Sequence, residues 1–321
     1  MNVTRRGILI GVGMILFHMA LFSVSAEVLA DTDSLFVTLE GVTLHYKSFG
    51  DLNDCDKTVM LLFHGFGSST YTWEKMIEAY EERYIMITYD RPPFGLSERI
   101  LDTDKRDTNW YGFSNQAVLA RQLLRFLKLD DRTVFLVGHS AGTPIALDYY
   151  QKFPDNIVGL ILISPALEHA FDENPFAKLF TNPLIRNSVS LFKGFLANAL
   201  ESGLDEAWYD DSKITTEVRE AYRKYTRIDD WEKALIEFTL NQGDFDMTAC
   251  FETVDMDTLC IMGEYDRVVN LEKIRKSASK NDNITLEIIS NSGHVPHEES
   301  YRHVNQVIEK WIKILEEERV Q

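Results

Sequence analysis

The sequence predicts an α/β fold: a mostly parallel central sheet, covered by helices on both faces, with a helical cap inserted into it. Short apolar runs alternate with amphipathic stretches of helical period in residues 31–166 and again in 257–321. The runs are apolar at nearly every position, as strands buried on both faces must be. Between the two blocks, residues 167–256 read as several helices rich in Phe, Trp, Tyr and Leu. That stretch interrupts the alternation, so it reads as an insertion and not as a second sequential domain.

Taken in order, residues 1–30 stand outside the fold. Arg5 and Arg6 precede an apolar run, and small residues follow at Val24-Ser25-Ala26 and Val28-Leu29-Ala30. This is the layout of a secretory signal peptide, with cleavage after Ala26 or Ala30. The run is also near the ~20 residues that span a bilayer, which leaves an uncleaved membrane anchor as the alternative. Thr4-Arg5-Arg6-Gly7-Ile8-Leu9 also resembles a twin-arginine export signal. Both readings put the folded part outside the cytoplasm, with membrane attachment through this segment only.

The stretch LFVTLEGVTLHYKSFG alternates apolar and polar residues around Glu40-Gly41 and predicts a β-hairpin. TVMLLFHG predicts a strand, YTWEKMIEAYEE a helix and YIMITYD the next strand. SNQAVLARQLLRFLKL is amphipathic, with Leu119, Leu123, Phe126 and Leu127 on one face and Ser114 as the expected N-cap. TVFLVG predicts a strand, the stretch after Gly142 a helix ending near Phe153-Pro154, and IVGLILIS a strand. Beyond the insertion come the strand TLCIMGEYD, a helix in NLEKIRKSASK and the strand ITLEIIS. The last helix is expected to open on His297, Glu298 and Glu299.

Composition narrows the partners. Of 321 residues, 45 % are apolar and 26 % charged, enough for a sizeable core. Fifty acidic and 33 basic side chains give a net charge of -17. Phosphate backbones repel such a chain, so no nucleic-acid partner is expected. The three cysteines leave at least one thiol over. Cys260, in the apolar TLCIM, is expected as a buried free thiol; export would permit Cys55 to pair with Cys250, though nothing in the spacing supports it. His294-Val295-Pro296-His297 lacks a second ligand cluster, so no metal is expected, and no cofactor.

The chemistry-bearing residues fall at strand ends. Gly138-His139-Ser140-Ala141-Gly142 fits G-x-S-x-G between a strand and a helix. Read alone, Ser140 is either a helix cap or a nucleophile. Free serine is a poor nucleophile and needs a general base and oxyanion donors. Asp266 ends TLCIMGEYD and His294 follows ITLEIIS, giving the order Ser…Asp…His expected on this sheet type. His294 would take the serine proton and Asp266 would hold its tautomer. Glu264 is a second carboxylate nearby. Ala141 N–H supplies one oxyanion donor by position, and Phe66 N–H, in His64-Gly65-Phe66-Gly67, is the second candidate. His139 is expected to shape the pocket and not to act as the base.

Together these residues resemble the α/β-hydrolase superfamily over most of 35–321. HGFGSS, YDRPPFGLSE, GHSAG, GEYDRVV and SGHVPHEE occur in the family's order. The resemblance implies that the loop around Asp90-Arg91 is structural. Pro93 stands where glycine is common, and Thr143-Pro144 replaces a frequent second glycine; proline is tolerated in a helix's first turn.

The resemblance also bears on the reaction. Relatives that open epoxides or displace halide typically use aspartate at the elbow, so Ser140 argues for acyl transfer through an acyl-enzyme. Carboxylesters with a small or medium hydrophobic acyl group are the expected substrates. Cleavage of C–C bonds or an aminopeptidase activity by the same triad is the alternative. A catalytically silent hydrolase-like binding protein is a third reading, disfavoured by the intact set Ser140, Asp266 and His294. By analogy the insertion sets specificity, with NPFAKLFTNPLIRNSVSLFKGFL and AWYDDS offering apolar side chains. Arg186, Arg223 and Arg227 are candidates for a substrate carboxylate or for solvated surface.

Overall fold

The computed structural model describes residues 25–101, 107–168, 180–243 and 245–320. Strands β1 (Leu35–Leu39), β2 (Val42–Phe49), β3 (Val59–Phe63), β4 (Ile85–Tyr89), β5 (Val134–His139), β6 (Ile157–Ile163), β7 (Thr258–Gly263) and β8 (Ile284–Ile289) form one sheet in the order β1-β2-β4-β3-β5-β6-β7-β8. β2 runs antiparallel to both its neighbours, and every other pairing is parallel. The first two strands form the expected hairpin, with Glu40 at φ 50° and Gly41 at φ 77°, the positive values that a tight two-residue turn requires.

β3, β4, β5 and β7 are buried at every position, hence their unbroken apolar runs. Successive side chains still part to opposite faces. Leu61, Leu136 and Leu162 pack with Leu119 and Ile145 on one side. Met60, Val137 and Ile161 pack with Trp73, Ile308 and Trp311 on the other. Burying one such side chain contributes about 1.5–3 kcal/mol, and this double core holds the strand ends rigid.

The amphipathic helix between β4 and β5 runs Phe113–Phe126 and starts earlier than expected. Gly112 is its N-cap, not Ser114. The Gly112 carbonyl accepts the Gln116 amide, while the Phe113 amide donates to Gln242 O, so the first turn closes without a side-chain cap. Asp90 anchors the loop after β4. Its carboxylate accepts the Thr70 and Leu96 amides at 2.7 Å and meets His45 Nδ1 at 2.6 Å. The Pro92–Pro93 peptide in that loop is cis.

Between β6 and β7 the described chain forms the helices Pro183–Asn187, Lys193–Ala207, Thr216–Lys224, Trp231–Leu240 and Met247–Thr253. The three cysteines are free, Cys260 buried and Cys55 exposed. Among the described residues no helix is long and apolar enough to cross a membrane. Most of the expected signal or anchor segment, residues 1–24, lies outside the described residues.

Candidate active site

β5 ends at His139, and Ser140 turns the chain with φ 48°. So strained a conformation persists in a non-glycine residue only where its surroundings impose it. Residues Ser140–Gly142 form a single 3-10 turn, and the helix Thr143–Lys152 follows with Pro144 in its first turn. The turn presses on the end of β3: a Cβ at Gly142 would lie 2.0 Å from Phe63 O. Only glycine permits that approach. Ser140 caps neither helical segment; their N-caps are His139 and Gly142, without side-chain cap bonds. The capping alternative therefore falls. The Ser140 hydroxyl is directed to His294, with Oγ 2.9 Å from Nε2.

Asp266 and His294 come from the loops after β7 and β8. His294 Nδ1 lies 2.9 Å from Asp266 Oδ2. A carboxylate only accepts, so Nδ1 carries the proton and Nε2 is left to accept from the serine hydroxyl. The other oxygen of Asp266 accepts the Val268 and Val269 amides at 2.8 Å each, which fixes the carboxylate's rotation. Its side chain is fully covered. Glu264 turns away and accepts the Asn291 amide at 3.3 Å.

The loop after β3 carries Phe66. His64 pins it: Nδ1 donates to Gly65 O at 2.8 Å, and Nε2 accepts the Arg91 amide at 2.9 Å. Both contacts suit a neutral ring, and burial, with Arg91 alongside, pushes His64 down to about 3. Arg91 Nη1 reaches over to Ala141 O at 3.2 Å, tying the two loops together. Phe66, Ser140 and Ala141 line one cavity of about 560 Å³. Its remaining wall joins apolar residues, among them Phe113, Leu167, Met247, Val268 and Ile274, to polar ones that include Glu168, Lys273, Lys276 and Lys280.

His139 does not face the serine hydroxyl. Its Nε2–H donates to His294 O at 3.0 Å, and burial holds its basicity well below that of free imidazole. His297, Glu298 and Glu299 do not open the last helix. They belong to a separate short helix, Pro296–Glu299, and Ser300 (φ -126°) breaks the chain before the helix Tyr301–Val320. The break turns His297 and Glu299 inward. His297 Nε2 bonds Thr72 Oγ1 at 2.9 Å. Glu298 accepts from Thr72 and, at 2.5 Å, from Tyr222 of the cap.

Among the described residues, the cap contributes less to the cavity than its composition suggests. Leu184, Leu191, Phe192 and Phe195 are exposed on its outside, and Trp208 is buried away from the cavity. Residues 174–179 of the same apolar stretch lie outside the described residues. Arg186 pairs with Glu237 at 2.6 Å, Arg223 with Glu201 at 3.5 Å and Arg227 with Glu220. None of the three lines the cavity.

A family model described as alpha/beta hydrolase fold matches residues 58–301. The chain belongs to that family and is a hydrolase of the α/β fold. It is 26 % identical over 281 residues to the uncharacterized hydrolase YugF of Bacillus subtilis (strain 168), covering 86 % of this chain and 96 % of YugF. Among solved structures it is similar to a thermophilic esterase from Thermogutta terrifontis, with a TM-score of 0.67 and 21 % identity over 88 % of this chain and 98 % of that one. The epoxide hydrolase CorEH is similar too, with a TM-score of 0.69 and 20 % identity over 88 % of this chain and 99 % of that one. At these identities the two structures share the fold alone.

Proposed function

We propose that the protein is a serine hydrolase working through an acyl-enzyme, a carboxylesterase acting on esters with a small or medium hydrophobic acyl group. The observation that carries this reading is the line from Ser140 Oγ through His294 to Asp266, 2.9 Å at each step, opening on a cavity of about 560 Å³ whose surface is more apolar than polar.

In the proposed reaction Ser140 Oγ attacks the ester carbonyl while His294 Nε2 takes its proton. Asp266 holds Nδ1–H and stabilises the imidazolium. The Phe66 and Ala141 amides are the proposed donors to the oxyanion. His294 then returns the proton to the departing alcohol, leaving an acyl ester on Ser140. Water, deprotonated by the same imidazole, attacks that ester, and the acid leaves as Ser140 recovers its proton. No step calls on a metal or cofactor.

Serine at the elbow supports acyl transfer over epoxide opening, although esterase and epoxide hydrolase structures are both similar in fold. A panel of p-nitrophenyl esters of increasing acyl length tests the reading. Hydrolysis of C4–C8 esters that is lost in Ser140→Ala is the expected result. Peptide or diketone turnover without ester turnover would overturn it. The same reading has the folded part exported, supported by residues 1–30. Recovery of the protein in the cytoplasm with residue 1 intact would contradict export.

A further inference from the structure

The loop that carries His294 is bolted to the cap, and one carboxylate makes the joint. Glu299 is buried. Its Oε2 accepts the Gly293 amide at 2.7 Å and the Tyr209 amide at 3.2 Å, with Ser292 Oγ at 3.4 Å. Its Oε1 accepts the Asp210 amide at 2.8 Å. A buried carboxylate is costly unless its lone pairs are filled, and here they are filled from both sides of the cap–core boundary.

The residues around it leave little slack. A Cβ at Gly293 would lie 2.4 Å from Ala207 O and 2.8 Å from the Tyr209 nitrogen. Both backbone groups of His294 are held: its amide donates to Ala207 O at 2.6 Å, and its carbonyl accepts from His139 Nε2 at 3.0 Å. On the neighbouring loop, Tyr265 stacks on Tyr209 of the cap at 4.3 Å. Residues 207–210 of the cap thus touch the loops bearing both His294 and Asp266.

We propose that Glu299 is a positioning residue, whose carboxylate clamps the His294 loop to cap residues 207–210 and so holds the imidazole between Ser140 and Asp266. This rests on the serine-hydrolase reading above. The clamp asks for two accepting oxygens, one toward Gly293 and Tyr209 and one toward Asp210. Gln supplies only one and sets an N–H₂ against an N–H on the other side.

The test compares the full-length wild type with Glu299→Gln. Three readouts are needed: the rate at which a fluorophosphonate labels Ser140 per folded molecule, kcat and KM on an ester, and the downfield NMR signal of the His294 Nδ1 proton. The expected result is a tenfold or greater loss in labelling rate and kcat, KM within about threefold, and a shifted or broadened proton signal. Wild-type labelling with an unchanged signal overturns the proposal, even if the melting temperature falls, since that outcome describes a purely structural bolt. Should Glu299→Gln not fold, Glu299→Asp, which keeps the charge on a shorter arm, is read by the same criteria. If wild type itself is never labelled, the serine-hydrolase reading fails, and the proton signal alone decides whether Glu299 orients His294.

Discussion

Ser140 and His294 stand 154 positions apart in the chain, yet Oγ and Nε2 meet at 2.9 Å. The contact depends on which ring nitrogen carries the proton, and Asp266 decides that from the far side of the ring.

Asp266→Asn therefore lowers kcat by about 10³–10⁴-fold with little change in KM. The Val268 and Val269 amides require an oxygen at their end of the side chain. The new N–H₂ then faces His294 Nδ1, which must accept, and the proton moves to Nε2, where it cannot receive one from serine. Steady-state kinetics on a C4 ester check this. A loss below tenfold would mean that Asp266 does not set the tautomer.

Two glycines separate steric need from mere presence. Gly142→Ala forces a Cβ into the Phe63 carbonyl and costs more than about 3 kcal/mol. Gly203 lies inside the helix Lys193–Ala207, with nothing within 4 Å of a Cβ. Gly203→Ala stabilises by about 0.5–1 kcal/mol. Urea unfolding at constant m-value distinguishes the two.

Glu298 gives stability a pH dependence. Burial pushes its carboxyl up from 4.5 to about 7, against the lowering effect of hydrogen bonds from Thr72 and Tyr222. Between those two values the folded chain holds a proton that the unfolded chain has lost. The stability contributed by the raised pKa is thus full below about pH 4.5 and is lost as pH rises through 7. Glu298→Gln keeps a neutral acceptor and removes the titration. It matches wild type near pH 4.5 and exceeds it at pH 8 by on the order of 1–3 kcal/mol. Parallel melting-temperature curves from pH 4 to 8 would contradict this.

On the proposed ester reading, the cavity wall sets acyl length. Val269 is half-buried at the cavity, three positions after Asp266, whose carboxylate accepts its amide. Val269→Phe narrows the apolar space, and a few methylenes of misfit are worth about 1–3 kcal/mol each. The ratio of kcat/KM for hexanoate over acetate esters should fall at least tenfold. An unchanged ratio would put the acyl group elsewhere.

The strands were legible because burial on both faces leaves continuous apolar runs, and the parallel sheet follows from their alternation with helices. The site was legible because G-x-S-x-G marks a turn that few other residues tolerate, and because Asp266 and His294 sit at the ends of readable strands. What escaped depends on tertiary contacts. The helix at Phe113 starts where Gln242 O happens to receive its amide. Glu299 reads locally as one more acid in a helical turn, and only the break at Ser300 and the approach of residues 207–210 turn it inward. The cavity wall escaped for the same reason: apolar residues of the cap divide between its inside and its outside by packing that no local period records.

The most direct measurement is intact-protein mass spectrometry after rapid acid quench of a short-chain p-nitrophenyl ester reaction, with peptide mapping of the adduct. A single acyl group on Ser140, absent in Ser140→Ala and accumulating with the first burst of p-nitrophenol, is the predicted result. Turnover with no acyl group on Ser140, or with the adduct on another residue, would contradict the account.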